Sequence, residues 1–120
     1  MVNFKIITAM VFIAIPSLLH ANQQMTQAEQ KENYLHEIGL RMDFIEKYTK
    51  ASKEYRKQKE YTVQEQKDYN CNLKFLYSDM IHVQTKYLQL EMLNDIQEIN
   101  RNTEDNYQAL NTALKKLNVQ

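Results

Sequence analysis

The chain has 120 residues, no formal net charge from its 15 basic and 15 acidic side chains, and 43% hydrophobic residues. This balanced, interspersed charge gives no electrostatic reason to bind nucleic acid. With one glycine, one proline and one cysteine, the sequence lacks the turn residues of β-hairpins and cannot form an intramolecular disulfide. We therefore expect an all-α protein whose stability comes from helix packing.

The first 21 residues have the layout of a signal peptide. Lys5 precedes an apolar run from Ile6 to Leu19, which is shorter than the roughly 20 residues that a membrane-spanning helix needs. Ala21 supplies a small residue for cleavage. The sequence predicts a signal peptide over residues 1–21 and a single helical domain over residues 22–120, exported to the periplasm or secreted. Because Leu19 occupies a position where the peptidase prefers a small residue, the alternative is an uncleaved membrane anchor.

The first helix is predicted from Thr26 to about Lys59. Thr26 and Glu29 form the Thr-x-x-Glu capping box that opens a helix. Spacings of three and four predict a buried stripe of Leu35, Ile38, Met42, Ile45, Thr49 and Ser52, flanked by Tyr34, Tyr48 and Tyr55. Gly39, in mid-helix, is expected to mark a close helix crossing.

The stretch from Lys47 to Lys59 mixes six basic residues with tyrosines and could contact phosphate or anionic lipid. Glu46, Glu54 and Glu60 weaken its positive field. We interpret the stretch as a solvated helix end, where the helix dipole favours bases.

The second helix carries the strongest periodic signal. The first turn is placed at residues 60–67, which lack apolar periodicity, and a heptad seam follows. Its residues are Tyr69, Leu73, Leu76, Met80, Val83, Tyr87 and Leu90. Tyr77, Ile81 and Leu88 widen the apolar surface to one side, which predicts a central helix with two neighbours.

A new apolar stripe, out of phase with the seam, begins after Leu90. It comprises Met92, Ile96, Ile99, Thr103, Tyr107, Leu110, Leu114 and Leu117. Either the chain turns within the polar run of residues 100–106, with Thr103 as the N-cap of a third helix, or one long helix changes partner. We favour the turn. The predicted fold is a small antiparallel three-helix bundle, with a long helical hairpin of coiled-coil character as the alternative.

No residue set predicts catalysis, a cofactor or a metal. Asp79 and His82 have the spacing found in carboxylate-bridged metal bundles, but no second pair completes such a site. No catalytic triad or carboxylate pair can be assembled either. The prediction is a protein without enzymatic activity, cofactor or metal.

Cys71 is predicted to be exposed because it falls opposite the seam of the second helix. In an exported protein, an exposed and unpaired thiol is a candidate for an intermolecular disulfide and a homodimer. The competing interpretation is that a third helix covers Cys71 together with Phe75.

The functional prediction is an exported interaction or structural module that contacts a protein partner, or a second copy of itself, through its helices. A bacterial envelope, secretion or conjugation accessory and a small periplasmic chaperone-like binding protein are conceivable settings. A membrane-tethered coiled coil is the alternative, and membrane contact is expected only in that case. An enzyme or metal carrier ranks last, because no ligand set supports it.

Overall fold

A computed structural model describes residues 25–118 as three α-helices, which confirms the predicted all-α class. They are α1 (Gln27–Gln58), α2 (Val63–Lys86) and α3 (Asn94–Asn118), with a short 3-10 helix at Leu88–Leu90 between the last two. No helix within the described range is long and apolar enough to cross a membrane. The predicted signal peptide and its cleavage site lie outside the described residues.

Capped N-termini set where α1 and α2 begin. The Thr26 hydroxyl accepts a hydrogen bond from the Glu29 backbone N–H at 3.2 Å, and α1 starts where the sequence predicted. A complete capping box joins Thr62 and Glu65, whose side chains each accept the other's backbone N–H at 3.1 Å. Residues 63–67 are therefore helical, and the first turn is shorter than the predicted 60–67.

The second turn is not where the sequence predicted it. Tyr87 leaves helical geometry with φ −124° and ψ 39°, and α3 begins at Asn94. Thr103 is not an N-cap: it lies inside α3, only 3% exposed, and its hydroxyl donates to the Ile99 carbonyl at 2.9 Å. The change in the phase of the apolar pattern after Leu90 therefore coincides with the turn between α2 and α3. The polar residues of the 100–106 run are tolerated in a helix because most of them face solvent.

α2 lies between α1 and α3, as the broad apolar surface of the second helix predicted. The core is built on the α2 seam and extends into the turn after it. The seam's buried members are Leu73, Leu76, Met80, Val83, Tyr87 and Leu90, and Tyr69 is half-buried. From α3, Ile96 and Thr103 are buried, and the stripe from Ile99 to Leu117 is half-buried. Met92 precedes α3 and is 78% exposed.

The buried face of α1 differs from the predicted stripe. Ile38, Ile45 and Ser52 are buried, but Leu35 and Met42 are 40% and 51% exposed, so their prediction was wrong. Tyr34, which was predicted only to flank the stripe, and Arg41, which was not predicted to be buried, lie in the core instead. The stripe was misplaced because only apolar residues were counted, whereas the real face buries a tyrosine and a paired arginine.

Gly39 does not mark a close helix crossing. A methyl group added at this position would meet no atom within 4 Å, apart from its own helix backbone and chain neighbours. The predicted crossing at Gly39 was wrong.

Candidate functional site

An open groove lies between the C-terminal half of α1 and the N-terminal half of α2. Its volume is about 580 Å³. We call it the tyrosine groove, because four tyrosines line it together with one phenylalanine and a few small and polar side chains. Its lining residues are Phe44, Lys47, Tyr48, Ala51, Ser52, Tyr55, Tyr61, Glu65, Asp68, Tyr69 and Asn72.

The antiparallel pairing of α1 and α2 brings the four tyrosines together. Tyr48 and Tyr55 are seven residues apart and so share one face of α1, while Tyr61 lies in the turn and Tyr69 on α2. The rings of Tyr48 and Tyr69 stack with centroids 5.3 Å apart. Tyr61 bridges to Tyr55 at 5.5 Å and to Tyr69 at 5.8 Å. These separations fall in the favourable range for aromatic pairs.

Hydrogen bonds fix the phenol groups of three of these rings. The Tyr61 and Ser52 hydroxyls are 2.6 Å apart, and the buried Ser52 ties the turn to α1. Tyr48 accepts a hydrogen bond from the Asn72 amide at 2.9 Å. Tyr55 donates to Glu65 at 3.1 Å. The rings are thus held in place before any ligand arrives, which lowers the entropic cost of binding.

Charge is unevenly distributed over the two walls of the groove. Glu65 and Asp68 lie on the α2 wall, and Lys47 lies on the α1 wall. The hydrogen bond from the Thr62 backbone N–H lowers the pKa of Glu65, and the bonds from the Tyr55 and Thr62 side chains lower it further, so this carboxylate is ionised at neutral pH. Within residues 25–118, neither Glu65 nor Asp68 forms a salt bridge. The α2 wall therefore carries two carboxylates that are hydrogen-bonded to neutral donors, with the Lys59 ammonium acting on Glu65 from beyond salt-bridge distance.

Arg56 contacts the tyrosines without lining the groove. Its guanidinium carbon lies 5.4 Å from the ring centroid of Tyr61 and 5.5 Å from that of Tyr69. Both distances are within the range of cation–π attraction. The same two rings therefore already hold one cation, from outside the groove.

A second polar cluster lies further along the α1–α2 pair, where Glu37, Arg41 and Tyr87 are buried and Asp79 and Lys86 are half-buried. Arg41 donates from Nε to Asp79 at 2.7 Å and from Nη1 to the Glu37 carbonyl at 2.9 Å. Glu37 accepts from Lys86 at 3.1 Å and from the Tyr87 hydroxyl at 2.6 Å. We call these five residues the ion network. Its two acids and two bases balance, so it can align the two helices without leaving net buried charge.

The ion network accounts for Asp79, which the sequence had raised as half of a metal motif with His82. Asp79 pairs with Arg41, and His82 is exposed. Among residues 25–118, no group of three or more His, Cys, Asp or Glu side chains is placed to hold a metal ion. Both observations favour a structural role for Asp79.

Of the residues singled out from the sequence, Cys71 is exposed and does not line the tyrosine groove, and the six seam residues from Leu73 to Leu90 are buried in the core. The residues that do line it had been assigned to helix packing or to a solvated helix end: Lys47, Tyr48, Ser52, Tyr55 and Tyr69. The groove was missed because its parts are distant in sequence: Tyr48 and its partner Asn72 are 24 residues apart. One usable signal existed, the enrichment of tyrosine on both sides of the first turn.

Comparisons with protein-family models, with curated proteins and with solved structures found no match to this chain. Any functional assignment therefore rests on the geometry and chemistry of the residues described above.

Proposed function

We propose that the protein is an exported, non-catalytic helical interaction module that binds a protein partner in the tyrosine groove. The observation that carries this proposal is the groove itself: a preformed, aromatic and partly charged concavity on the surface of the bundle. Its volume of about 580 Å³ lies within the range of roughly 300 to 1,000 Å³ that is common for binding pockets.

The composition of the groove supports a protein partner. Tyrosine is enriched at protein interfaces, because its ring buries apolar area at low entropic cost and its hydroxyl keeps a polar contact. Tyr55 is 43% exposed, so much of its ring is available for further burial. Binding in the groove would remove this aromatic surface from water.

Export is supported by residues 1–21, in which Lys5, a short apolar run and Ala21 have the layout of a signal peptide. N-terminal sequencing of exported material should begin at Asn22. Retention of Met1 would favour the membrane-tethered alternative.

Site-specific crosslinking tests the groove as an interface. The photoreactive residue p-benzoylphenylalanine is placed at Ala51, an exposed position that lines the groove, and separately at Ala109, an equally small and exposed position on α3. We expect a discrete crosslinked species of reproducible mass from position 51 in the cells that export the protein, with the same partner identified each time. Equal adducts from both positions, or none from position 51, would contradict the proposal.

A further inference from the structure

Building on the proposed function, we propose that the tyrosine groove selects a basic side chain, arginine or lysine, carried by an extended segment of the partner protein. The rings supply faces that attract cations, and the α2 wall supplies carboxylates to neutralise the charge. The combination is the chemistry by which proteins recognise guanidinium and ammonium groups.

Arg56 shows that these rings are suited to a cation. Its guanidinium lies within 5.5 Å of the Tyr61 and Tyr69 ring centroids, although it is not part of the groove lining. A second cation approaching from the groove would meet Tyr55, which is 43% exposed and whose hydroxyl bonds to Glu65 on the α2 wall.

The carboxylates determine where the cation would sit. Among residues 25–118, Asp68 accepts a hydrogen bond from the neutral Gln64 amide at 2.9 Å and from no cation, and Glu65 is bonded to Thr62 and Tyr55. Lys47, on the opposite wall, repels a guest cation toward α2. An incoming guanidinium would therefore lie between the exposed Tyr55 ring and the carboxylates of the α2 wall, Glu65 and Asp68.

The length of the groove favours a peptide over a small organic cation. Its lining on α1 runs from Phe44 to Tyr55, which are eleven positions apart and therefore roughly 16 Å apart at a rise of about 1.5 Å per residue. An extended peptide advances about 3.3 Å per residue, so about five residues would fill this length. A single ammonium group would leave most of the aromatic surface uncovered.

Two peptides that differ only in charge test the inference. The probe is the acetylated and amidated peptide Ser-Leu-Arg-Leu-Ser, and its control has citrulline, a neutral isostere, in place of arginine. Binding is measured on the full mature chain from amide chemical-shift changes, which also locate the site. We expect shifts at groove residues and an affinity for the arginine peptide about two- to thirty-fold higher than for the citrulline peptide.

A carboxylate variant tests whether Asp68 contacts the bound charge. Asp68→Asn keeps the oxygen that accepts the hydrogen bond from Gln64. It should lower the affinity for the arginine peptide about two- to five-fold, the range of an exposed charge pair, and leave the affinity for the citrulline peptide unchanged. Asp105→Asn, the same change at an exposed position of α3, should alter neither affinity.

Each remaining outcome overturns a defined part of the inference. Equal affinities for the two peptides, or no chemical-shift change in the groove with either, would contradict selection of a basic side chain. The crosslink from position 51 would still test the proposed function independently. If tetramethylammonium bound as tightly as the arginine peptide, the ligand of the groove would be a small organic cation and not a segment of a partner protein. Charge-selective peptide binding without any crosslink would retain the cation site and overturn the protein-partner function.

Discussion

The α1–α2 pair uses tyrosines in opposite ways at its two ends. At the closed end, where the chain turns into α3, Tyr34 and Tyr87 are 0% and 2% exposed, and their rings meet edge to face at 5.5 Å. At the groove end, beside the first turn, Tyr55 is 43% exposed and the other tyrosines are half-buried. One residue type thus builds a core at one end and a surface concavity at the other.

The difference arises from what covers each end. At the closed end, α3 and the preceding turn bring Leu90 and Ile96 into the core, and Asn100 accepts a hydrogen bond from Tyr34. Lys31 on α1 pairs with Asp95 on α3 at 2.5 Å. The described lining of the tyrosine groove, in contrast, comes only from α1, α2 and their connecting turn. The comparison indicates that the closed end supplies stability and leaves the groove end available for binding.

The largest loss of stability is expected from the seam that supports both ends. Leu76 is 3% exposed, so Leu76→Ala should lower the free energy of unfolding by about 2 to 5 kcal/mol through lost burial and a new cavity. The control, Met92→Ala, alters a side chain that is 78% exposed and should change stability by less than about 0.5 kcal/mol. Urea melts that give both variants similar midpoints would contradict the role of the seam.

A matched pair of arginine substitutions compares the two ends directly. Arg41→Met leaves the Asp79 carboxylate without its cation in a largely buried setting, and we expect a cost of about 2 to 4 kcal/mol. Arg56→Met removes an exposed cation–π contact, for which the expected cost is about 0.5 to 1 kcal/mol. Chemical denaturation measures both. A larger loss at Arg56 than at Arg41 would reverse the assignment of the two ends.

The sequence predicted those parts of the fold that depend on local pattern. The α2 helix and the start of α1 follow from apolar spacing and from a capping residue, both of which act over a few neighbours. Thr62 and Glu65 carry the same capping signal, and counting it would have placed the start of α2 correctly.

The rest depended on contacts between distant residues. From the sequence alone, Arg41 is expected at the surface, but in the structure Asp79 on another helix neutralises it. Thr103 has the side chain of an N-cap, but its hydroxyl bonds to the preceding turn inside α3. The tyrosine groove exists only once α1 and α2 pair, so no local pattern could define it.

Alkaline pH tests the closed end through Tyr34, where burial raises the pKa to about 12 from its usual value of 10.0. The unfolded chain ionises this phenol first, so stability present below pH 10 is lost as the pH rises toward 12. Tyr34→Phe should lower the free energy of unfolding by about 1 kcal/mol at neutral pH, because the hydrogen bond to Asn100 is lost. Above pH 10, its stability should fall less steeply with pH than that of the wild type. Thermal melts between neutral pH and pH 12 measure both effects.

Two features make the alkaline experiment specific. Burial and Glu37 also raise the pKa of Tyr87, which remains in Tyr34→Phe. The alkaline loss of stability in this variant should therefore be reduced and not abolished. The control, Tyr55→Phe, changes an exposed tyrosine at the groove end and should retain the wild-type loss. Identical alkaline profiles for wild type and Tyr34→Phe would show that Tyr34 does not titrate with unfolding.

The smallest expected change in stability is at Cys71, which is exposed on α2 near the groove end but does not line the groove. If the protein is exported to an oxidising compartment, non-reducing gels should show a dimer that disappears with reductant and in Cys71→Ser. Because the position is exposed, the mutant's free energy of unfolding should stay within about 0.5 kcal/mol of the reduced wild type. A thiol that resists reagents until the protein unfolds would show that Cys71 is buried and contradict this assignment.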